Sequence, residues 1–137
     1  MKVQNQVMIG CRDVAASAQW YCNLLEAQQG HGGDEYEQIL KDGQLILQLH
    51  KWDVEDHHGA LVEPDKSIGN GVVLWFEVED FEQAVQRGAR IGAQVDIAPM
   101  FNPLARQMEV WLRDPDGYKV VIAGPSEYPR APLVEEG

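Results

Sequence analysis

Trp75 and Glu77 stand on the same side of the alternating run Val73-Leu74-Trp75-Phe76-Glu77, with Val72, Leu74, Phe76 and Val78 on the other side. An indole plane can stack a flat ring or hold a cation. A carboxylate beside it can act as a general base, which makes Glu77 the candidate catalytic residue; a solvated carboxylate at a rim is the plainer reading. A second alternating run sets Ile46, Gln48 and His50 against Leu45, Leu47 and Leu49. The segment Glu55 to His58 (EDHH) is rich in ligand atoms but lies in a polar stretch, where adjacent histidines point to opposite sides, and it reads as a solvated loop. His31 has no partner nearby in sequence. Cys11 falls on the apolar side of its strand, and with Cys22 makes neither a disulfide framework nor a CxxC zinc pair, so both read as reduced thiols. GxSxG, GxGxxG, phosphate-loop and HExxH patterns are absent.

The elements that hold these residues occur twice. Residues 3–11 alternate as a strand, with Val3, Val7, Ile9 and Cys11 toward a core and Gln6, Met8 and Gly10 opposite. Asp13 then stands at a helix N-cap, before Val14, Ala18, Tyr21, Leu24 and Leu25 at helical spacing. The Asp42-Gly43 pair between two β-rich runs predicts a hairpin. In the second half the strand around Trp75 is followed by Asp80, again at an N-cap, and by a helix with Phe81, Ala84, Val85, Ala89 and Ile91 as its apolar stripe. Residues 94–105 read as a short strand and a proline-containing loop, and a second hairpin turns at Asp114-Pro115-Asp116-Gly117. Asp13 and Asp80 are equivalent points 67 residues apart. The division is one domain over 1–137: a first module at 3–52, a linker at 53–70, a second module at 71–124 and an irregular tail at 125–137.

The chain has 137 residues, 45% of them hydrophobic, enough for one packed interior. Its net charge is −11, which repels nucleic acid and anionic membranes and favours cationic ligands, although excess acid also simply keeps a protein soluble. No apolar run reaches the roughly 18 residues of a membrane span, and the N-terminus does not read as a signal peptide. A cytoplasmic location is expected.

A duplicated β-α-β-β-β module with Arg-Asp-Pro-Asp-Gly before the last strand resembles the vicinal oxygen chelate superfamily, which includes glyoxalase I, fosfomycin resistance enzymes, extradiol dioxygenases and bleomycin resistance proteins. The resemblance rests on residues 9–27, 76–95 and 109–124. It implies an α+β fold in which two tandem modules form a cup-shaped mixed sheet with helices outside and the ligand in the concavity. Combined with the alternation above, it places Gln6, Met8, Gln48, His50, Val73, Trp75, Glu77 and Val121 around the ligand.

Metal-dependent members of that family resemble one another in carrying a His or Gln seven residues before each helix-capping Asp and a Glu in the last strand of each module. Here those positions hold Gln6, Val73, Gln48 and Val121. Valine has no donor atom, and neutral amides are weak ligands for a divalent cation. No metal or other cofactor is therefore expected, unless His50 and Glu77 form a displaced site. The leading expectation is a small-molecule binding protein similar to the bleomycin resistance branch, taking a small cationic aromatic molecule. Trp75 would line the cup with a second tryptophan, Trp52 or Trp111. The alternative is a lyase, isomerase or dioxygenase of the same superfamily, and a third possibility is an interaction module whose cup is filled by its own side chains. The family also implies a homodimer, with modules paired within one chain or exchanged between two.

Overall fold

The computed structural model describes residues 1, 3–53, 61–63 and 65–127. The EDHH segment with the rest of 54–60, residue 64 of the linker and the end of the tail lie outside the described residues. The first module runs β1 (Met8–Cys11), α1 (Val14–Leu25), β2 (Gln28–Gln29), β3 (Tyr36–Lys41) and β4 (Gln44–Lys51). The second runs β5 (Val73–Glu77), α2 (Phe81–Arg90), β6 (Gln94–Asn102), β7 (Gln107–Arg113) and β8 (Lys119–Ala123). The two sheets have matching orders, β1-β4-β3-β2 and β5-β8-β7-β6. In each the first strand pairs in parallel with the last, and the remaining pairs are antiparallel. The duplicated α+β architecture expected from the sequence is present. No helix among the described residues is long and apolar enough to cross a membrane.

Two strands depart from expectation. The first begins at Met8, so Val3 lies outside it and is exposed. β6 is a nine-residue strand with Pro99 inside it, where a short strand and loop were expected. It is tolerated because β6 is the sheet edge and its pairing with β7 is irregular between Ile97 and Met100, so the missing N–H interrupts no ladder on the outer side.

One apolar cluster draws on both modules: Ile9, Cys11, Tyr21, Leu24, Ile39, Leu47 and Leu49 from the first, and Leu74, Phe81, Val110, Leu112, Val120 and Ile122 from the second. The helices also meet each other. The Arg87 side chain is buried against α1, its Nε donating to the Leu24 carbonyl at 2.7 Å and one terminal nitrogen to Asp80 at 3.0 Å. It caps the carbonyl end of α1, which is why the buried stripe of α2 passes through Arg87 and Gly88 and leaves Ala89 exposed.

The turn between β7 and β8 fastens the modules together. Asp114 Oδ1 accepts the backbone N–H groups of Asp116, Gly117 and Tyr118, and its Oδ2 accepts the Tyr21 hydroxyl at 2.7 Å. Asp116 accepts from the Arg12 backbone, the Arg12 guanidinium and the Ser17 hydroxyl. Tyr118 donates its hydroxyl to the Gly10 carbonyl at 3.1 Å. Gly10 is also required sterically, because a Cβ there would stand 2.6 Å from Val62. Each sheet thus turns one face to the shared core and leaves the other open. No strand of one sheet pairs with a strand of the other among the described residues.

Candidate functional site

The open face of the first module is built from β1, β4 and β3 in register. Met8 lies beside Gln48 and Gly10 beside His50; across the hairpin Tyr36 lies beside His50 and Gln38 beside Gln48. Its polar atoms answer one another. The Tyr36 hydroxyl donates to Gln48 Oε1 at 2.6 Å and accepts from Gln38 Nε2 at 3.3 Å, while Gln48 Nε2 donates to the Gln6 carbonyl at 3.2 Å. His50 Nδ1 lies 2.9 Å from the Lys51 carbonyl, which can only accept, so Nδ1 carries the proton.

The open face of the second module has another character. Trp75 and Trp111 flank Val121 on neighbouring strands, with ring centroids 6.3 Å apart and planes at 89°. Val121 is fully buried between them, although it faces away from the helix core. Trp75 remains 43% exposed, and Ile97 extends the row beyond Trp111. In the next row Glu77, Ala123, Glu109 and Met100 follow across the sheet. Glu109 is almost wholly buried; its Oε1 accepts the Trp111 indole N–H at 3.1 Å and its Oε2 accepts the Asn102 amide at 2.9 Å.

The sequence-predicted residues therefore gather into two groups. Gln6, Met8, Gln48 and His50 belong to the first open face, and Val73, Trp75, Glu77 and Val121 to the second. The groups stand on separate sheets. Two shallow surface hollows, of about 370 and 360 Å³, lie elsewhere: one is lined by Asp80, Phe81 and Met108, the other by Arg12, Asp34 and Lys51. Trp111, not Trp52, is the neighbour of Trp75; Trp52 instead lies 4.7 Å from the Arg12 guanidinium. Sequence reasoning missed Glu109, Asn102, Tyr36 and Gln38. The first was within reach, since Glu109, Trp111 and Arg113 alternate with the apolar Val110 and Leu112.

The four family metal positions do not fit a divalent cation. Val73 and Val121 offer no donor, and the Gln48 amide is committed to Tyr36 and the Gln6 carbonyl. Among the described residues no three His, Cys, Asp or Glu side chains cluster as a metal group, and His50 and Glu77 stand on different sheets. Cys11 is equally unsuited to nucleophilic work: burial first, then the nearby Asp116 charge, pushes its thiol up to about 12.

The comparisons with known proteins agree with this architecture. The family model for the Glyoxalase/Bleomycin resistance protein/Dioxygenase superfamily matches residues 3–122. No curated protein sequence matches the chain. Among solved structures, a glyoxalase-related enzyme from Fulvimarina pelagi superposes with a TM-score of 0.72 at 19% identity, covering 91% of this chain and 89% of that one. A glyoxalase/bleomycin resistance protein/dioxygenase family enzyme from Burkholderia phytofirmans gives 0.72 at 17% identity, with 87% and 95% covered. An integron cassette protein from the mobile metagenome of V. cholerae gives 0.68 at 17% identity, with 92% and 98% covered. At such identities the structures speak for the fold, and the family model extends over nearly the whole chain: the protein belongs to the Glyoxalase/Bleomycin resistance protein/Dioxygenase superfamily.

Proposed function

We propose that the protein binds a small cationic aromatic molecule at the Trp75–Trp111 corner, without a divalent metal at the family's four positions. The observation that carries this reading is the pair of perpendicular indoles on an open sheet face, with Trp75 offering its ring to solvent. One indole can stack a flat ring while the other meets its edge, and both can hold a positive charge. The net charge of −11 raises the local concentration of cations and speeds their encounter.

The binding unit in this reading is a homodimer. Met8, Val73, Trp75 and Ile97 are each about two-fifths exposed on the two open faces, an apolar surface that a second copy would cover. In this reading the first module's face of one chain would close over the second module's face of its partner, so that one cup draws on two chains. The free cysteines suit a reducing compartment, the cytoplasm.

The test has three arms. Light scattering after gel filtration should give twice the 15.4 kDa chain mass, and a monomer at every concentration would refute the dimer. Tryptophan fluorescence should change saturably with cationic aromatic compounds and lose that response in Trp75→Ala; no response to any of them would refute the ligand class. Native mass spectrometry with Zn²⁺, Ni²⁺, Mn²⁺ and Fe²⁺ should show no stoichiometric metal. A bound metal lost in His50→Ala would instead favour metal-dependent turnover.

A further inference from the structure

Glu109 is a carboxylate inside the sheet with no positive partner among the described residues. Its side chain faces the open side of the second module, in the row next to Trp111, and the residue is only 2% exposed. Among the described residues no Lys, Arg or His lies within ion-pair distance of it. Its two hydrogen-bond partners, the Trp111 indole and the Asn102 amide, are neutral donors. The orientation of that amide is fixed, because Asn102 Oδ1 accepts from the backbone of Leu104 at 2.9 Å and of Ala105 at 3.4 Å, so the nitrogen must face Glu109. Several other acidic groups differ, although Glu37 is likewise buried without an ion pair among the described residues. Asp116 is paired with Arg12 and Asp80 with Arg87, and Asp114 is surrounded by backbone N–H groups and a tyrosine. The cations nearest in register, Arg113 and Lys119, stand two rows farther along the face, and Arg113 is bound to Asp96.

A buried charge is retained where a counter-charge meets it. Neutral donors stabilise the carboxylate only in part, and the aromatic corner beside it is where a ligand would bring the missing positive charge. We infer that Glu109 is the specificity-determining residue of the ligand face. One oxygen fixes the Trp111 indole against Trp75, and the net charge selects a ligand with a cationic atom over a neutral isostere. This rests on the reading that the Trp75–Trp111 corner binds the ligand.

The experiment compares N-methylquinolinium with quinoline, two flat rings of nearly the same shape that differ in charge at neutral pH. Protein labelled with 5-fluorotryptophan reports binding at Trp75 and Trp111 through ¹⁹F shifts, assigned with Trp→Phe variants. The wild type should prefer the cation, and Glu109→Gln should lower that preference roughly tenfold, the size expected of one charge a few ångströms away at intermediate dielectric. A lost packing role would weaken both compounds alike and leave the ratio unchanged, which would overturn the inference. In E109Q the new amide can meet the Asn102 amide donor to donor. If that variant does not fold, the exchange Asn102→Asp with Glu109→Gln restores the match and moves the charge away from the indole, so the preference should still fall. Binding with an unaltered cation preference in either variant overturns the role of Glu109 and leaves the ligand site standing. No binding of either compound to the wild type overturns both.

Discussion

Gln48 and Val121 occupy the same place in the two halves. Each lies on the last strand of its module, beside the residue five before the helix-capping aspartate: Met8 beside Gln48, Trp75 beside Val121. Around Gln48, hydrogen bonds run in a chain from Gln38 through Tyr36 and Gln48 to the Gln6 carbonyl. Around Val121, two indoles bury the methyl groups, and the Glu109 carboxylate in the next row is met by neutral donors. Duplication has kept the backbone register while the chemistry of the faces has diverged. The first face satisfies its own polar atoms and so offers a wall. The second leaves an aromatic plane and a charge, and a ligand can gain more free energy there.

The hairpin turns show the same asymmetry and carry the largest expected effect. Asp42 and Gly43 close the β3–β4 turn with φ of 51° and 78°, and their only requirement is a left-handed backbone. Asp114 in the matching turn holds three backbone N–H groups and the Tyr21 hydroxyl, at the junction of the modules. Asp114→Ala should cost about 3–5 kcal/mol, because several buried donors lose their acceptor at once. Asp42→Ala should cost at most about 1 kcal/mol, because aspartate tolerates the left-handed backbone better than alanine does. Urea unfolding of both variants checks the contrast, and equal costs would mean that the β7–β8 turn is not the fastening point.

The two faces can be separated by a matched pair of ring substitutions. Trp111→Phe removes the donor to Glu109 and part of the cover over Val121, for about 1–3 kcal/mol of stability. It should also weaken binding of a cationic aromatic ligand. Tyr36→Phe removes the hydroxyl that joins Gln48 and Gln38, in a part-buried setting, for about 1 kcal/mol. It should leave ligand binding nearly intact. If Tyr36→Phe impairs binding as much as Trp111→Phe does, the first face is part of the ligand's contact surface and the division of labour fails.

Most of the fold was legible because alternation and helical spacing set Ile9, Leu47, Leu49 and Leu74 on one side and Met8, Gln48, His50 and Trp75 on the other. The stripe of α1 was equally plain: Val14, Ala18, Tyr21, Leu24 and Leu25 are all buried. Less could be read where a polar side chain does the work of an apolar one. Arg87 lies inside α2's stripe because Leu24's carbonyl and Asp80 meet it there, and these partners are distant or on another element. Glu109 was hidden in the same way, since a carboxylate in a strand ordinarily marks a solvated side. β6 was shortened in the reading by Pro99, whose tolerance depends on lying at a sheet edge, a fact of topology and not of local sequence.

The smallest effects are expected at the two capping aspartates, which the sequence presents as equivalents. Asp13 is a true cap: its Oδ1 accepts the Ala16 N–H at 3.0 Å. Asp13→Ala should cost about 1 kcal/mol at neutral pH. Asp80 makes no side-chain bond to the backbone N–H groups of its helix and binds the Arg87 side chain seven residues on instead. That hydrogen bond, reinforced by the guanidinium charge, holds the Asp80 carboxyl below its ordinary value. A carboxyl with a lowered folded pKa stabilises the protein fully above its unfolded value of roughly 3.9, and loses that contribution as pH falls through the folded value. Because the Asp80 side chain is 35% exposed, solvent screens the pair, and Asp80→Asn should cost under about 1 kcal/mol at neutral pH. The wild-type and Asp80→Asn stability curves should therefore run apart at neutral pH and converge in acid, where the wild-type carboxylate is protonated too. Curves that coincide at every pH would show that Arg87 is held by the Leu24 carbonyl and by the Glu26 carboxylate, 3.7 Å away, without help from Asp80.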